Sequence, residues 1–474
     1  MKKVISFAII LLFCSTLVVL GLHIFGVNSQ KKSFDVSETR QTKTGVYAKV
    51  LETVLGQTEV YNYQRMGFNK GFIRFSPDCR CLAVGSETGD VLLYTTEGQL
   101  IWKKNMGLGK LTALEFAPDS QTVLVGETSQ QGCLLSLRVK DGSELWRQAS
   151  DHNLGVNIKE KTYPGFVAIR TDAQGFIYAV AQRYVKQADK ASEYFSRIYK
   201  FAPNGERLGQ FPVDSNMDGW VNWLDVDKAG SKVAFCTGNF DPGSYQYNQL
   251  IYCIDGNVQQ LLWSNTAECT PPYQTVTMRT SPDLTPDGKY AAGITSDGRC
   301  FLYAGDDGRE LWRRSISKPQ KIGGVYLNAA GSFAYIIENY AVFTTGNTFN
   351  KANWQLPTPV EQPNSNSVFI FDLSGTLVNS YKLGGMVEQM AVGPKMAALA
   401  IGRNVRAKDP AVHGFYILTI PEAELVDCAQ TEGGPAVAVD ISADGRYVAG
   451  IEAPLQLDDG SVIGAYKLTL LVRR

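Results

Sequence analysis

Residues Asp214 to Asp225 read DSNMDGWVNWLD, a stretch whose side-chain types and spacing suit a metal ion. Oxygen-bearing side chains stand at loop positions 1, 3, 5, 9 and 12: Asp214, Asn216, Asp218, Asn222 and Asp225. Gly219 occupies position 6, Trp220 position 7 and Val221 position 8. Hard oxygen donors around a tight glycine turn are the chemistry that wraps Ca²⁺. The stretch departs from that pattern by placing Asp rather than Glu at position 12. The competing reading is a turn rich in Asp, Asn and Gly between two strands. A second constellation is aromatic: Tyr184, Tyr194, Phe195, Phe240, Tyr245, Tyr247, Tyr273, Phe349 and Trp354 all fall in long polar connections. Exposed Tyr and Trp suit binding of a protein or a glycan, because a rigid flat ring offers contact area at little entropic cost. The structural alternative is that each ring folds back over its own sheet.

Little in the chain points to catalysis. The three histidines are His23, His152 and His413, too few and too scattered for a histidine-ligated metal cluster. No C-x-x-C-H haem site, G-x-S-x-G elbow or Walker loop occurs. Lys plus Arg equals Asp plus Glu at 46 each, so the net charge is zero and no basic field steers nucleic acid. The charges within the long connections are mixed, which also argues against a nucleic-acid track.

The elements that must position these residues come from a repeat. An apolar strand, a tight turn on Asp or Gly and a second apolar strand recur at Phe75 (FSPDCRCLAVG), Phe116, Arg170, Val226, Leu284, Leu327, Val392 and Ile441. The copy at Val392 is the loosest. A unit of roughly 40–60 residues with four short strands is the period of propeller blades. The expected architecture is all-β: an eight-bladed β-propeller, or seven-bladed if the Val392 copy is not a blade. Asp225 takes the strand position held by Arg74, Glu115, Asp283 and Asp440 in other repeats, which favours a structural role for it. The last repeat lacks a fourth strand, and residues 58–66 are expected to supply it and close the ring. Such closure removes the unpaired edges of an open array.

A second signature marks the corner between the third and fourth strands: TEGQLIW at Trp102, KDGSELW at Trp146, IDGNVQQLLW at Trp263 and DDGRELW at Trp312. These tryptophans are expected to pack between blades. The corner resembles the tryptophan-docking repeat of the quinoprotein-like (PQQ-like) propellers, and the SPDG-type turn is similar to that of WD40-like and TolB-like ones. The Asp214 stretch is similar to the EF-hand and dockerin calcium loops. The resemblance implies the propeller fold from about Gly71 to the C-terminus; it does not fix an activity. Many quinoprotein dehydrogenases carry an adjacent Cys-Cys pair, which this chain lacks, so PQQ is not expected.

Connection lengths locate a working face. The a–b and c–d turns of a four-stranded blade lie at one end of the disc, the b–c and d–a connections at the other. The first pair is nearly always minimal. The long connections are of the second kind: Gln182–Arg197, Asn239–Asn248, Asn339–Ser367, Arg403–Gly414, Ala453–Gly464, Asp151–Tyr163 and Thr266–Tyr273. Loops on a rigid scaffold carry function.

Lys2 and Lys3 precede the uncharged run Val4 to Leu22, long enough to span a bilayer. Residues 1–29 are expected to be a signal-anchor, or a signal peptide cut near Ser29. Residues 30–57 are expected to be a tether, with the propeller at 58–474. The ring would then lie outside the cytoplasmic membrane, single-pass, or secreted or periplasmic after cleavage. Eight of the nine cysteines lie in the exported part, and Cys236 with Cys253 is the candidate disulfide. The function these features point to is a non-catalytic scaffold that binds a protein, peptide or envelope polymer through its long loops. The alternative is a propeller enzyme (hydrolase, lyase or quinone-type oxidoreductase) with its site near the central channel of the same face. The resemblance adds a loose analogy to the quinoprotein-like lipoprotein that helps assemble outer-membrane proteins.

Overall fold

The computed structural model describes residues 45–63, 71–107, 109–185, 193–237, 247, 249–269, 276–350 and 358–474. The fold is all-β and propeller-like, built from successive antiparallel four-stranded meanders, whose strands are lettered a to d here. The first sheet runs Gly71–Phe75, Cys81–Ser86, Asp90–Thr95 and Leu100–Asn105. The strand-a elements that follow are Lys110–Phe116, Pro164–Thr171, Val221–Val226, Asp283–Leu284, Val325–Ile337, Val387–Gly393 and Ala436–Ile441. Each strand a touches the next, and the last touches Gly71–Phe75, so the inner strands form a closed cycle.

Strands b and c are apolar on both faces because both faces are buried. Leu82 and Val84 of the first sheet pack against Ala449, Ile451, Leu468 and Leu470 of the last sheet. The alternate residue Ala83, with Val91 and Leu93, packs against Leu114, Val123 and Val125 of the second. The core is therefore a series of layers between sheets. Period-2 alternation assigns each side chain to one neighbour or the other.

The repeated turn ties itself. Ser76 Oγ donates to Asp78 Oδ1 at 2.6 Å, and Thr285–Asp287 and Ser442–Asp444 repeat the contact at 2.7 and 2.6 Å. Short polar side chains that bond their own turn explain why the motif recurs at this corner.

The tryptophans pack between sheets as expected. Trp102, Trp146, Trp263 and Trp312 each donate Nε1–H to a carbonyl of the following sheet: Val139, Pro203, Gly305 and Leu373, at 2.7–3.0 Å. Each indole also lies against the glycine of that sheet's c–d corner. At Gly308, φ is +70° and an added Cβ would sit 2.5 Å from the Trp263 ring. Glycine is required there both for the left-handed backbone and for the close approach.

Three expectations are corrected. The strand that completes the last sheet is Tyr47–Val54, not 58–66; it pairs antiparallel with Lys467–Arg473 from Tyr47↔Arg473 to Val54↔Lys467. Part of the expected tether is thus structural. Its residues YAKVLETV alternate partly buried and more exposed positions, as an outermost strand does. Of the 58–66 stretch, Tyr61–Asn62 forms a short parallel pairing with Leu455–Gln456. The second correction concerns the sixth sheet. SFAYII belongs to strand a, which extends over Val325–Ile337, and strand b is Tyr340–Asn350. The a–b turn is therefore at Glu338–Asn339 rather than at LNAAG, and Asn339 does not start a b–c loop. Third, register places Cys253 opposite Ala234 and Cys236 opposite Ile251, and both thiols are free.

Among the described residues, no helix is long and apolar enough to cross a membrane. The expected anchor or signal segment 1–29 lies outside the described residues.

A chain that begins at Leu55 leaves strand c of the last sheet as a bare edge. Such a chain is expected to oligomerise or lose cooperative melting, as read by size-exclusion chromatography and calorimetry. A monomer melting at the wild-type temperature would contradict the closure.

Candidate functional site

The b–c connection of the third sheet is a projecting hairpin. Its strands, Ile177–Val185 and Glu193–Phe201, run nine residues each. They stay in register to the end, with Tyr184 opposite Tyr194 and Val185 opposite Glu193. The β-rich sequences IYAVAQRYV and EYFSRIYKF favour this extension of the ladder. Residues 182–185 and 193–197 of what reads as a loop are therefore strand.

Two d–a connections flank this arm. The first begins with a short helix, Asp151–Leu154. Arg183 reaches across to it, donating from Nη1 to Leu154 O and from Nη2 to Thr162 Oγ1, both at 3.1 Å. The second connection is the Asp214 stretch. Arg197 Nε donates to Asn216 Oδ1 at 2.5 Å, while Asn216 Nδ2 donates to Asn153 O at 3.3 Å. Asn153 Nδ2 in turn donates to Tyr199 Oη at 2.8 Å. Arm and flanks thus form one hydrogen-bonded unit. Nothing local in the sequence marks Arg183, Asn153 and Arg197 as organisers of it, because their partners are distant in the chain.

The aromatic residues separate by depth. Tyr184 is 39% exposed. Tyr194 is half-buried between Tyr184 and Trp220, with ring centroids 5.1 and 4.7 Å away. Burial, with Tyr184 beside it, raises the Tyr194 phenol above its ordinary range. Phe195 packs on the core of the third sheet. Tyr247 packs edge-on to Phe211, against the apolar layer between the third and fourth sheets. Phe349 is 5% exposed and belongs to the interior. Phe240, Tyr245, Tyr273 and Trp354 lie outside the described residues.

The Asp214 stretch spends most of its oxygen donors on protein. Asp218 Oδ1 accepts Tyr247 N–H at 3.1 Å, and Asn222 Nδ2 donates to Met278 O at 3.0 Å. Asp225 faces Arg170 at 3.6 Å and accepts Leu284 N–H at 2.7 Å. Trp220 supplies its ring to Tyr194, and Asp214 is exposed. Asn222 and Asp225 belong to strand a of the fourth sheet rather than to a loop. Among the described residues, no group of three or more His, Cys, Asp or Glu is placed to hold a metal ion.

Asp225 leads to a second constellation, on the central channel. One residue of each strand a, the penultimate one in six of the eight, links its sheet to the next. Arg74 Nε meets Glu115 at 3.3 Å, and Arg170 meets Glu115 at 3.8 Å and Asp225 at 3.6 Å. Asp225 then accepts Leu284 N–H, and Asp283 accepts Ile336 N–H at 2.7 Å. Tyr335 Oη donates to Met390 O at 3.1 Å, and Gln389 Oε1 accepts Val439 N–H at 3.0 Å. Asp440 accepts Phe75 N–H at 2.8 Å and completes the circle. Arg170 also lies over the Trp223 ring at 5.2 Å. Repeat spacing aligns five of these eight residues; it does not reach Arg170 or Gln389, and the sixth-sheet turn displaces Tyr335.

Four partly buried carboxylates on this circle, Glu115, Asp225, Asp283 and Asp440, stand with two guanidiniums, Arg74 and Arg170. Burial pushes the Asp440 carboxyl up to about 6, against the opposing pull of Arg74. Burial and the Asp225 charge hold Asp283 well above the usual carboxylate range. Nothing in this arrangement presents a nucleophile paired with a base.

No family model matches the chain, and no curated protein matches it. Solved structures do. A computationally designed protein, Ika8, superposes with a TM-score of 0.51 at 12% identity, over 83% of this chain and 95% of that one. The Cps50 (Swd1) β-propeller domain of Myceliophteria thermophila has a TM-score of 0.44 at 10% identity, over 89% and 99%. At such identities the likeness concerns the fold alone.

The raised Asp440 gives a signed expectation. The folded state holds this proton more tightly than the unfolded chain, so its contribution to stability falls as pH rises from about 4 to about 6 and is flat above. Asp440→Asn keeps an acceptor for Phe75 N–H and removes the titration. The variant's melting temperature is expected to gain on wild type across that interval. A constant difference from pH 4 to 7 would contradict the assignment.

Proposed function

We propose that this protein is a non-catalytic binding scaffold, an eight-bladed propeller that takes a protein, peptide or envelope polymer on its b–c/d–a face. The observation that carries the reading is the arm of the third sheet. A paired hairpin, stitched on both sides by Arg183 and Asn216, presents Tyr184 outward with Tyr194 tilted against it and Trp220 edge-on behind Tyr194. An aromatic side chain held by half-buried neighbours loses little entropy on contact. The tryptophan corners support kinship with the quinoprotein-like propellers at the level of scaffold. The apolar run Val4 to Leu22 supports attachment to a membrane with the ring on the extracytoplasmic side.

Crosslinking in intact membranes, followed by purification of the full chain, tests this reading. Wild type is compared with Tyr184→Ala and with a variant whose residues 184–194 are replaced by a two-residue turn. A partner captured by wild type, weakened at least several-fold by Tyr184→Ala and lost with the short arm is the expected result, the melting temperature staying unchanged. Equal capture by all three forms, or no specific partner, would overturn it.

A further inference from the structure

The b–c connection of the seventh sheet, residues 402–413, is fastened to the eighth sheet at two points. At its start, Arg403 donates from Nη1 to Asn62 O at 2.7 Å, and its guanidinium lies over the Tyr61 ring at 5.0 Å. At its end, His413 Nδ1 meets Gly433 O at 2.7 Å. Gly433 belongs to the connection that leads into the eighth sheet, and a Cβ added there would sit 3.0 Å from Ile463 Cδ1. Ile463 pairs with Leu455, Leu455 pairs with Tyr61, and Tyr61 N–H donates to Pro454 O at 2.9 Å. Contacts thus run from His413 through the eighth sheet's b–c hairpin to residues 61–62, and return through Arg403. We propose that His413 is a pH-sensitive latch on the b–c/d–a face: it closes the seventh sheet's connection onto the eighth only while its ring is neutral, and in mild acid it releases residues 55–63 and uncovers Tyr61 and Tyr63.

A carbonyl oxygen only accepts, so Nδ1 carries the proton in that bond and the neutral ring has its bare lone pair at Nε2. The side chain is fully buried, and Nε2 has no hydrogen-bond partner among the described residues. Protonation would keep the Gly433 bond, but it would add an N–H at Nε2 without an acceptor and a charge without water. The charged groups nearby do not relieve this cost. Arg403 opposes a charge on the ring, and Asp409, exposed at the cap of the short turn Pro410–Val412, favours one. Glu388 from strand a of the seventh sheet is taken by Arg403 at 3.2 Å, and Lys408 pairs with Asp458. Glu432, next to Gly433, meets Lys467 at 2.9 Å, with Glu452 beside that lysine at 3.6 Å. Burial, with Asp409 and Asp458 near it, keeps the Tyr63 phenol neutral. Burial outweighs the rest and holds the imidazole below its ordinary range. The closed latch therefore binds the proton less tightly than an open one. Its stability is full above the ordinary histidine value of about 6.5 and falls as pH drops below it. The open population rises by at most about tenfold per pH unit, the limit for one proton.

Histidine-resolved NMR and hydrogen exchange on the purified full chain test this. The chain has only His23, His152 and His413, and His152 is exposed. The His413 ring is expected to stay neutral, with Nδ1 protonated, at pH values where His152 has become charged. Three amides report the latch: Thr431 N–H on His413 O, Tyr61 N–H on Pro454 O and Ala453 N–H on Pro435 O. Their exchange, corrected for the intrinsic rate, is expected to rise by up to about tenfold for each pH unit below about 6.5. His413→Asn keeps a donor for Gly433 O and cannot titrate, so exchange at these amides should not depend on pH between about 5 and 7. Should that variant not fold, the wild-type ring titration and exchange decide the matter. A His413 ring that titrates together with His152, or Tyr61 exchange that is flat in wild type or equally steep in His413→Asn, would overturn the proposal.

Discussion

The circle of side-chain links between inner strands, from Arg74 around to Asp440, is the constraint on which the rest of the ring depends. Each sheet packs chiefly on its two neighbours, so the disc is as sound as its weakest junction. Between sheets, apolar layers supply most of the cohesion, as in the contact of Leu82 and Val84 with Ile451 and Leu470. Such layers are non-directional and would tolerate sliding of one sheet past another. A carboxylate that accepts one particular backbone N–H of the next strand does not tolerate it. The Asp440 bond to Phe75 and the Asp225 bond to Leu284 therefore fix the register of neighbouring sheets as well as their proximity.

The two ends of the disc divide the remaining work. At the a–b and c–d end, indole N–H groups dock onto carbonyls of the next sheet and glycines admit the rings. Short self-bonded turns leave no room for variation there. At the other end the chain is free to lengthen, and in the third sheet it does so by continuing the ladder. Arm and flanking connections then exchange hydrogen bonds through Arg183, Asn216 and Asn153, which turns sequence-distant loops into one surface.

Much of the scaffold was legible because its determinants are local. The Asp turn, the glycine corner and the tryptophan recur at fixed offsets and have local causes. The first sheet's four strands fall where the pattern places them. What failed was pairing across distance. YAKVLETV and TEVYNYQRM are both β-prone, and nothing local says which one pairs with Lys467–Arg473. LNAAGSFAYII imitates a turn followed by a strand, yet strand a continues through bulges on either side of Gly331 and turns only at Glu338. The Asp214 stretch has donors at metal-loop spacing, but its last two fall on a strand, where successive side chains diverge. Tyr184 and Phe349 look alike in sequence, and only the tertiary packing exposes one and buries the other.

If the inner circle carries the junctions, a partly buried channel pair must couple more strongly than an exposed pair of similar geometry. A double-mutant cycle with Arg74→Met and Glu115→Gln measures the first, and one with Arg147→Met and Glu144→Gln on an outer strand measures the second. The expected coupling is about 1–3 kcal/mol at the channel and a few tenths, roughly 0.3–0.5 kcal/mol, on the outer strand. Equal and small couplings in both cycles would contradict the account, leaving the apolar layers alone to hold the ring.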